Sequence, residues 1–255
     1  GERGLPGIRV TDGITFATSD TEGRYVLPIT DDYIVPYRPA RTVSICWPSR
    51  TWPTGPWWRR LSEITTPATV DFGLREEEQK LPFVFLHTSD DHGNGKMYSQ
   101  HYAHDARRMA PSAKFLFNTG DVGYASLESD YADVHFLGLD WKEKDEGSKR
   151  GYEDRIPQVA LEFMRKDLAA IPPDRRVVLL VHCYTCGDDF LRELHKRKVD
   201  YICMGHTHTP LHVRMAGIHG HTNMGTATGI VTEDSIDMVE GRPITAGPSS
   251  LLKYF

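Results

Sequence analysis

The residues of this chain best suited to chemistry are carboxylates and imidazoles that each follow a short apolar run. Asp90 and His92 stand two residues apart just beyond Phe83-Val84-Phe85-Leu86, in a turn where Ser89, Gly93 and Asn94 break the apolar pattern. Lys114-Phe115-Leu116-Phe117-Asn118-Thr119 leads into Gly120-Asp121, and Arg176-Val177-Val178-Leu179-Leu180-Val181 leads into His182. Asp200-Tyr201-Ile202-Cys203-Met204 leads into Gly205-His206-Thr207-His208. In open α/β sheets ligands gather beyond the carboxyl ends of strands, so four such ends predict one shared site built from Asp90, His92, Asp121, His182, His206 and His208. A lone Asp after a strand reads as a helix cap and a lone His as a satisfied polar group. Four strand ends carrying the same two residue types are hard to explain as four separate caps.

Imidazole and carboxylate donors suit borderline divalent ions such as Zn, Mn or Fe. The set is large enough for two ions, with Asp121 the simplest bridge between them. Two ions roughly 3.5 to 4 Å apart clamp the attacking and leaving oxygens of an in-line phosphoryl displacement and make hydroxide available near neutral pH. The expected reaction is hydrolysis of a phosphate mono- or diester by metal-bound hydroxide, with no protein nucleophile.

In their order, Asp90-x-His92, Gly120-Asp121, His182 and Gly205-His206-x-His208 resemble the motifs of the calcineurin-like metallophosphoesterases. The resemblance covers about residues 83 to 255 and implies an αββα sandwich with a two-metal site. It implies that Asp90, His92 and His208 hold the first ion, that His182 and His206 hold the second, and that Asp121 is shared. Asp121 and His92 are the residues it assigns to catalysis. One segment departs from the family. Where the family carries a Gly-Asn-His motif, this chain has only Val122 to Ala132 before the apolar run Asp133 to Asp140, and no Asn-His pair. That Asn would ligate the second ion and that His would protonate the leaving group. In a predicted helix from Tyr98 to Ala110, His101 and His104 read as facing solvent or the helix packing, with His104 a weak candidate to replace the acid. General acid catalysis contributes about 10²- to 10⁴-fold, so the alternative to an active hydrolase is an impaired metal-binding module that recognises a glycan or phosphorylated ligand.

The elements that position these residues alternate as an α/β domain should. Val159, Leu161, Phe163, Met164 and Leu168 define an amphipathic helix over Pro157 to Ile171. A second helix starts at Asp188-Asp189 and ends at His195-Lys196-Arg197-Lys198, the charge order that the helix dipole favours. Beyond Leu211, His212 to Met215 and Ile218 to Met224 alternate as strands, which puts His219 and His221 on a strand face rather than in a fresh turn. Met224 to Gly229 is similar to the family's turn after the histidine pair.

Residues 1 to 76 carry no helical period. Gly7 to Val10, Ile14 to Thr18, Gly23 to Pro28, Thr42 to Trp47 and Ala68 to Leu74 predict short antiparallel strands divided by Asp-Gly and Glu-Gly turns. They form a small all-β sandwich domain, joined by a polar linker at 77–82 to the domain at 83–255. The turns and the closing Val70-Asp71-Phe72-Gly73-Leu74 resemble the transthyretin-like or carboxypeptidase-regulatory-like domain that precedes some bacterial calcineurin-like phosphoesterases. Trp47, Trp52, Trp57 and Trp58 lie in a Pro- and Gly-rich loop and read as packing at one end of that sandwich. The same rings could stack a sugar, and Arg59 or Arg60 could reach a phosphate.

At 255 residues, 39% apolar and a net charge of −5, the composition is that of a globular chain with interspersed charges and no nucleic-acid patch. No run approaches bilayer length, so a soluble protein is expected, compatible with secretion or a periplasmic location after signal removal. Its partner would be a phosphate-ester substrate, with glycan- and lipid-linked esters among the options. Of the four cysteines, Cys46 and Cys203 sit in apolar runs and read as core. Cys183 and Cys186 form a Cys-x-x-Cys beside His182, a redox pair by spacing but without a thioredoxin-like context.

Overall fold

A computed structural model describes residues 4–12, 15–28, 33–37, 43–45, 59–60, 72, 74–76, 78–90, 112–119, 127–139, 156–183, 187–222 and 225–239. Among them the strands are, in chain order, β1 (Arg9–Thr11), β2 (Phe16–Thr18), β3 (Tyr33–Tyr37), β4 (Val43–Ile45), β5 (Arg59–Arg60), β6 (Leu74–Glu76), β7 (Phe83–Ser89) and β8 (Leu116–Asn118). The series continues with β9 (Leu127–Tyr131), β10 (Val134–Gly138), β11 (Arg176–Val181), β12 (Tyr201–Met204), β13 (Leu211–Met215), β14 (Ile218–Thr222), β15 (Gly225–Val231) and β16 (Ile236–Val239). The helices are α1 (Gln158–Ala170) and α2 (Asp188–Leu194). The chain is mixed α/β with several sheets, and it divides into two compact units, each assembled from separated pieces.

The first unit joins Gly1–Lys80, Ala125–Leu139 and Pro157–Val177. Here β1 pairs antiparallel with β2 and β3, β3 with β5, and β4 with β6. Ile8 and Val10 are buried beneath Leu5, Tyr25, Leu27 and Phe72. Helix α1 buries Ala160, Leu161, Phe163, Met164 and Leu168, and it stops where Ile171 turns extended ahead of Pro172-Pro173. The Phe163 ring stacks on Phe16 at 4.9 Å, and the other side of that attachment is ionic. Arg9 lies over Phe16 and donates to Asp167 at 3.0 Å, and Asp167 accepts from His135 Nε2 at 2.6 Å. His135 Nδ1 meets Asp130 at 2.8 Å, and Asp130 also pairs with Arg175. Burial alone would lower the His135 pKa, but its hydrogen bonds to the two carboxylates and their charges outweigh that and hold it at about 9.

Gly23 to Pro28 does not form the strand that its alternation suggests. Asp20 accepts the backbone N–H groups of Glu22 and Arg24 at 2.9 Å each, a local turn that competes with a ladder. Val26, left outside it, is 89% exposed.

The second unit joins Leu81–Tyr124, Asp140–Ile156 and Val178–Phe255. One sheet has the order β16-β15-β7-β8, with β7 antiparallel to β15 and parallel to β8. In the other, β11 runs parallel to β12, β12 parallel to β14, and β14 antiparallel to β13. Buried on both faces, β11 and β12 show the unbroken apolar runs of parallel strands. The segment expected to turn after the histidine pair is instead strand β15, paired with β7 from Ser89↔Gly225 to Phe83↔Val231. Its small residues explain the difference. A Cβ at Gly229 would lie 2.2 Å from the Phe85 ring, so the ring fills the space where a side chain would otherwise stand. No helix among the described residues is long and apolar enough to cross a membrane.

Candidate functional site

Main-chain hydrogen bonds tie the carboxyl end of β7 to that of β8, and the end of β11 to that of β12. Thr119 N–H donates to Thr88 O at 2.9 Å, and Gly205 N–H donates to His182 O at 2.9 Å. Asp90 leaves β7 in the left-handed region, at φ 62°, and its carboxylate is buried. Both of its oxygens accept the backbone N–H of His206, at 3.0 and 3.1 Å. The Oδ1 atom also lies 3.3 Å from His208 Nε2 and 4.0 Å from His182 Nε2. The His182 and His206 rings meet edge to face at 5.2 Å. Of the six residues expected at one site, Asp90, His182, His206 and His208 are thus together, while His92 and Asp121 lie outside the described residues. So do His104, Cys186 and the four tryptophans at 47, 52, 57 and 58.

Gly205 makes this approach possible. A Cβ there would stand 1.7 Å from Ser89 Oγ and 2.8 Å from Asp90 Oδ2. The turn that follows is tightly closed. His206 and His208 both adopt left-handed backbones, at φ 67° and 52°. Thr207 and Thr209 exchange hydroxyl-to-carbonyl bonds, and Thr222 on β14 donates to Thr209 O at 2.7 Å. Non-glycine residues in this region are uncommon, and they cluster where surrounding contacts over-determine the geometry.

Behind the ligand candidates lies a second layer in which the sequence did not single out Thr119 or His87. His182 Nδ1 is 3.1 Å from the Thr119 carbonyl oxygen. A carbonyl only accepts, so Nδ1 carries a hydrogen and Nε2 faces Asp90. Thr119 Oγ1 in turn meets His87 Nε2 at 2.7 Å. Burial, and then the charge of nearby His221, push the His87 pKa down to about 3, so this imidazole stays neutral. His221 packs edge to face on His212 at 5.1 Å, and burial followed by His212 lowers its pKa to about 4. His219 pairs with Arg214 at 2.8 Å, and Cys183, directly after His182, is buried.

Among the described residues no three His, Cys, Asp or Glu side chains close on one point as the ligands of an ion do. Two donors each about 2.1 Å from one ion stand roughly 3.0–3.4 Å apart at tetrahedral to octahedral angles. Asp90 and His208 have that spacing at 3.3 Å, whereas His182, at 4.0 Å, is wider. The oxygen and nitrogen donors fit a borderline divalent ion.

No family model and no curated protein matches the chain. Solved structures that resemble it include a candidate 5'-nucleotidase from Staphylococcus aureus in complex with alpha-ketoglutarate, at 10% identity and TM-score 0.42, with 68% of this chain and 57% of that chain covered. A Thermus thermophilus sulfate thiohydrolase, SoxB, in complex with glycerol follows at 14% identity and TM-score 0.33, with 62% and 38% covered. A Thermotoga maritima protein solved by NMR in solution has 14% identity and TM-score 0.29, with 62% and 97% covered. This chain therefore spans little over half the length of the first and less of the second.

Proposed function

We propose that this chain is a hydrolase of phosphate mono- or diesters that works with two divalent ions, Mn, Fe or Zn. The observation that supports it is the buried carboxylate of Asp90, 3.3 Å from His208 and 4.0 Å from His182 although both histidines lie far from it in the sequence. In this reading Asp90, His92 and His208 hold one ion, His182 and His206 the other, and Asp121 lies between them. The wider Asp90-to-His182 spacing suits ligands of neighbouring ions. When bound, the ions supply Lewis acidity and a nucleophile at neutral pH.

The chain's own residues hold the constellation in place. The His206 N–H orients the Asp90 carboxylate, the Thr119 carbonyl keeps the proton of His182 on Nδ1, and Gly205 leaves room for both strand ends. His208, with its side chain 39% exposed, is the open side of the group and the side from which a phosphate ester would approach. The residues from 83 onward would form the αββα sandwich of the metallophosphoesterases, and residues 1–76 a transthyretin-like domain ahead of it.

The test is metal analysis of the purified chain together with hydrolysis of p-nitrophenyl phosphate and bis-p-nitrophenyl phosphate in Mn²⁺, Fe²⁺ or Zn²⁺. Two ions per chain are expected, with turnover reduced at least about 100-fold by Asp121→Asn and by Asp90→Asn. One ion with no turnover would replace the hydrolase by a binding module for a phosphorylated or glycan ligand. No stoichiometric ion at all would overturn the metal reading.

A further inference from the structure

The second layer behind His182 is more specific than packing requires. Thr119 is tied to β7 at two points, by its N–H to Thr88 O at 2.9 Å and by its hydroxyl to His87 Nε2 at 2.7 Å. Its carbonyl points the other way, to His182 Nδ1 at 3.1 Å, at the end of β11 in the other sheet of the same unit. One residue thus transmits the position of one sheet to an imidazole of the other. His87 is completely buried, and a neutral ring offers the Thr119 hydroxyl one fixed partner at every working pH.

We propose that Thr119, anchored through its hydroxyl by His87, is the positioning residue that holds His182 in the Nδ1–H tautomer with Nε2 directed at Asp90. A neutral imidazole has two tautomers, and only the one with its lone pair on Nε2 can ligate an ion held beside Asp90. In water the two interconvert freely. A carbonyl fixed opposite Nδ1 selects between them, and outer partners of this kind typically change metal affinity 10- to 100-fold. Thr119 acts through His182, the imidazole its carbonyl meets. The value of this for metal binding rests on the function proposed above, but the tautomer does not.

The test compares Thr119→Val, which keeps the branched shape and the main chain but loses the hydroxyl, with Thr119→Ser, which keeps the hydroxyl. Nitrogen-15 NMR of the full-length chain reads the His182 tautomer in the presence of a chelator, and calorimetry then reads the affinity for Zn²⁺. The wild-type chain should show His182 protonated at Nδ1 alone. Thr119→Val should show both tautomers and about 10-fold weaker Zn²⁺ binding, and Thr119→Ser should restore the wild-type pattern. His87→Leu, which removes the anchor from the other end, should behave like Thr119→Val and serves if that variant does not fold. A single Nδ1–H tautomer in Thr119→Val or His87→Leu would overturn the proposal, as would a Thr119→Ser variant indistinguishable from Thr119→Val. A wild-type chain that binds no Zn²⁺, Mn²⁺ or Fe²⁺ would defeat the proposed function instead, while the tautomer comparison still decides the role of Thr119.

Discussion

Replacing Gly205 by Ala should damage this protein at one point and for one reason. The Gly205 backbone is not left-handed, so an added methyl meets no conformational penalty of its own. At an open position of that kind, Gly→Ala stabilises by about 0.4–1 kcal/mol through the unfolded chain. Here the methyl would stand 1.7 Å from Ser89 Oγ, 2.8 Å from Ser89 Cβ and 2.8 Å from Asp90 Oδ2. Ser89 is completely buried at the end of β7 and paired with Gly225, so it has little room to retreat. Overpacking of this sort costs about 1–3 kcal/mol, enough to reverse the sign of the entropic gain. For a chain of this size that corresponds to a fall in Tm of roughly 3–10 °C. Differential scanning fluorimetry of Gly205→Ala, Ser89→Gly and the double variant measures the coupling. Because Ser89→Gly removes the two closest Ser89 atoms but leaves the Asp90 contact, the double variant should recover much of the loss, with a coupling of at least about 1 kcal/mol. Gly205→Ala as stable as wild type, or losses that simply add in the double variant, would refute the close approach of the two strand ends.

Stability should peak near pH 6.5 and decline on both sides. His135 has a pKa raised from 6.5 to about 9, so its contribution is complete below pH 6.5 and is lost as pH rises through 9, on the order of 3 kcal/mol in all. His87 and His221 are depressed to about 3 and about 4, so their neutral forms favour the fold above pH 6.5, and that advantage disappears as pH falls through 4 to 3. Urea titrations from pH 3 to 10 measure both limbs, and a His135→Leu variant that keeps the full alkaline slope would show that the slope arises elsewhere. At position 206 the left-handed backbone makes glycine a better fit than alanine, so His206→Gly should be more stable than His206→Ala by about 1 kcal/mol, although both lose the imidazole. Equal thermal midpoints for the two variants would count against the left-handed turn.

Much of the site was legible in the sequence because its strands are buried on both faces. Residues 177–181 form an uninterrupted apolar run that ends abruptly at His182, and Tyr201–Met204 ends as sharply at Gly205. Parallel buried strands announce themselves in this way, and so do the turns that follow them. The strand β15 was not legible, because Gly225-Thr226-Ala227-Thr228-Gly229 has no apolar periodicity. Its register is set by what it leaves empty, the space beside β7 into which Phe85 projects. Asp130, Asp167 and His135 were invisible for a related reason. Hydropathy places such residues at the surface, and only the five-membered chain from Arg9 to Arg175 makes their burial tolerable. In the sequence Thr119 is only the end of an apolar run, since nothing in a linear spacing shows which carbonyl faces which imidazole.

The distribution of backbone strain argues for a site in its own right. Five non-glycine residues among those described are left-handed: Asp90, Ala132, His206, His208 and Ala216. Ala132 and Ala216 sit in the tight turns of the β9-β10 and β13-β14 hairpins, where such a conformation closes the connection. Asp90, His206 and His208 have no hairpin to close. Each costs roughly 1–2 kcal/mol relative to an ordinary backbone, and glycine would remove that cost at any of the three. What glycine cannot supply is a carboxylate with two oxygens on the His206 N–H, or an imidazole nitrogen 3.3 Å from that carboxylate. The strain is tolerated where side-chain chemistry is placed, and the hydrogen bonds that enforce it, from Thr222 to Thr209 and from His206 to Asp90, connect three strand ends around the same carboxylate.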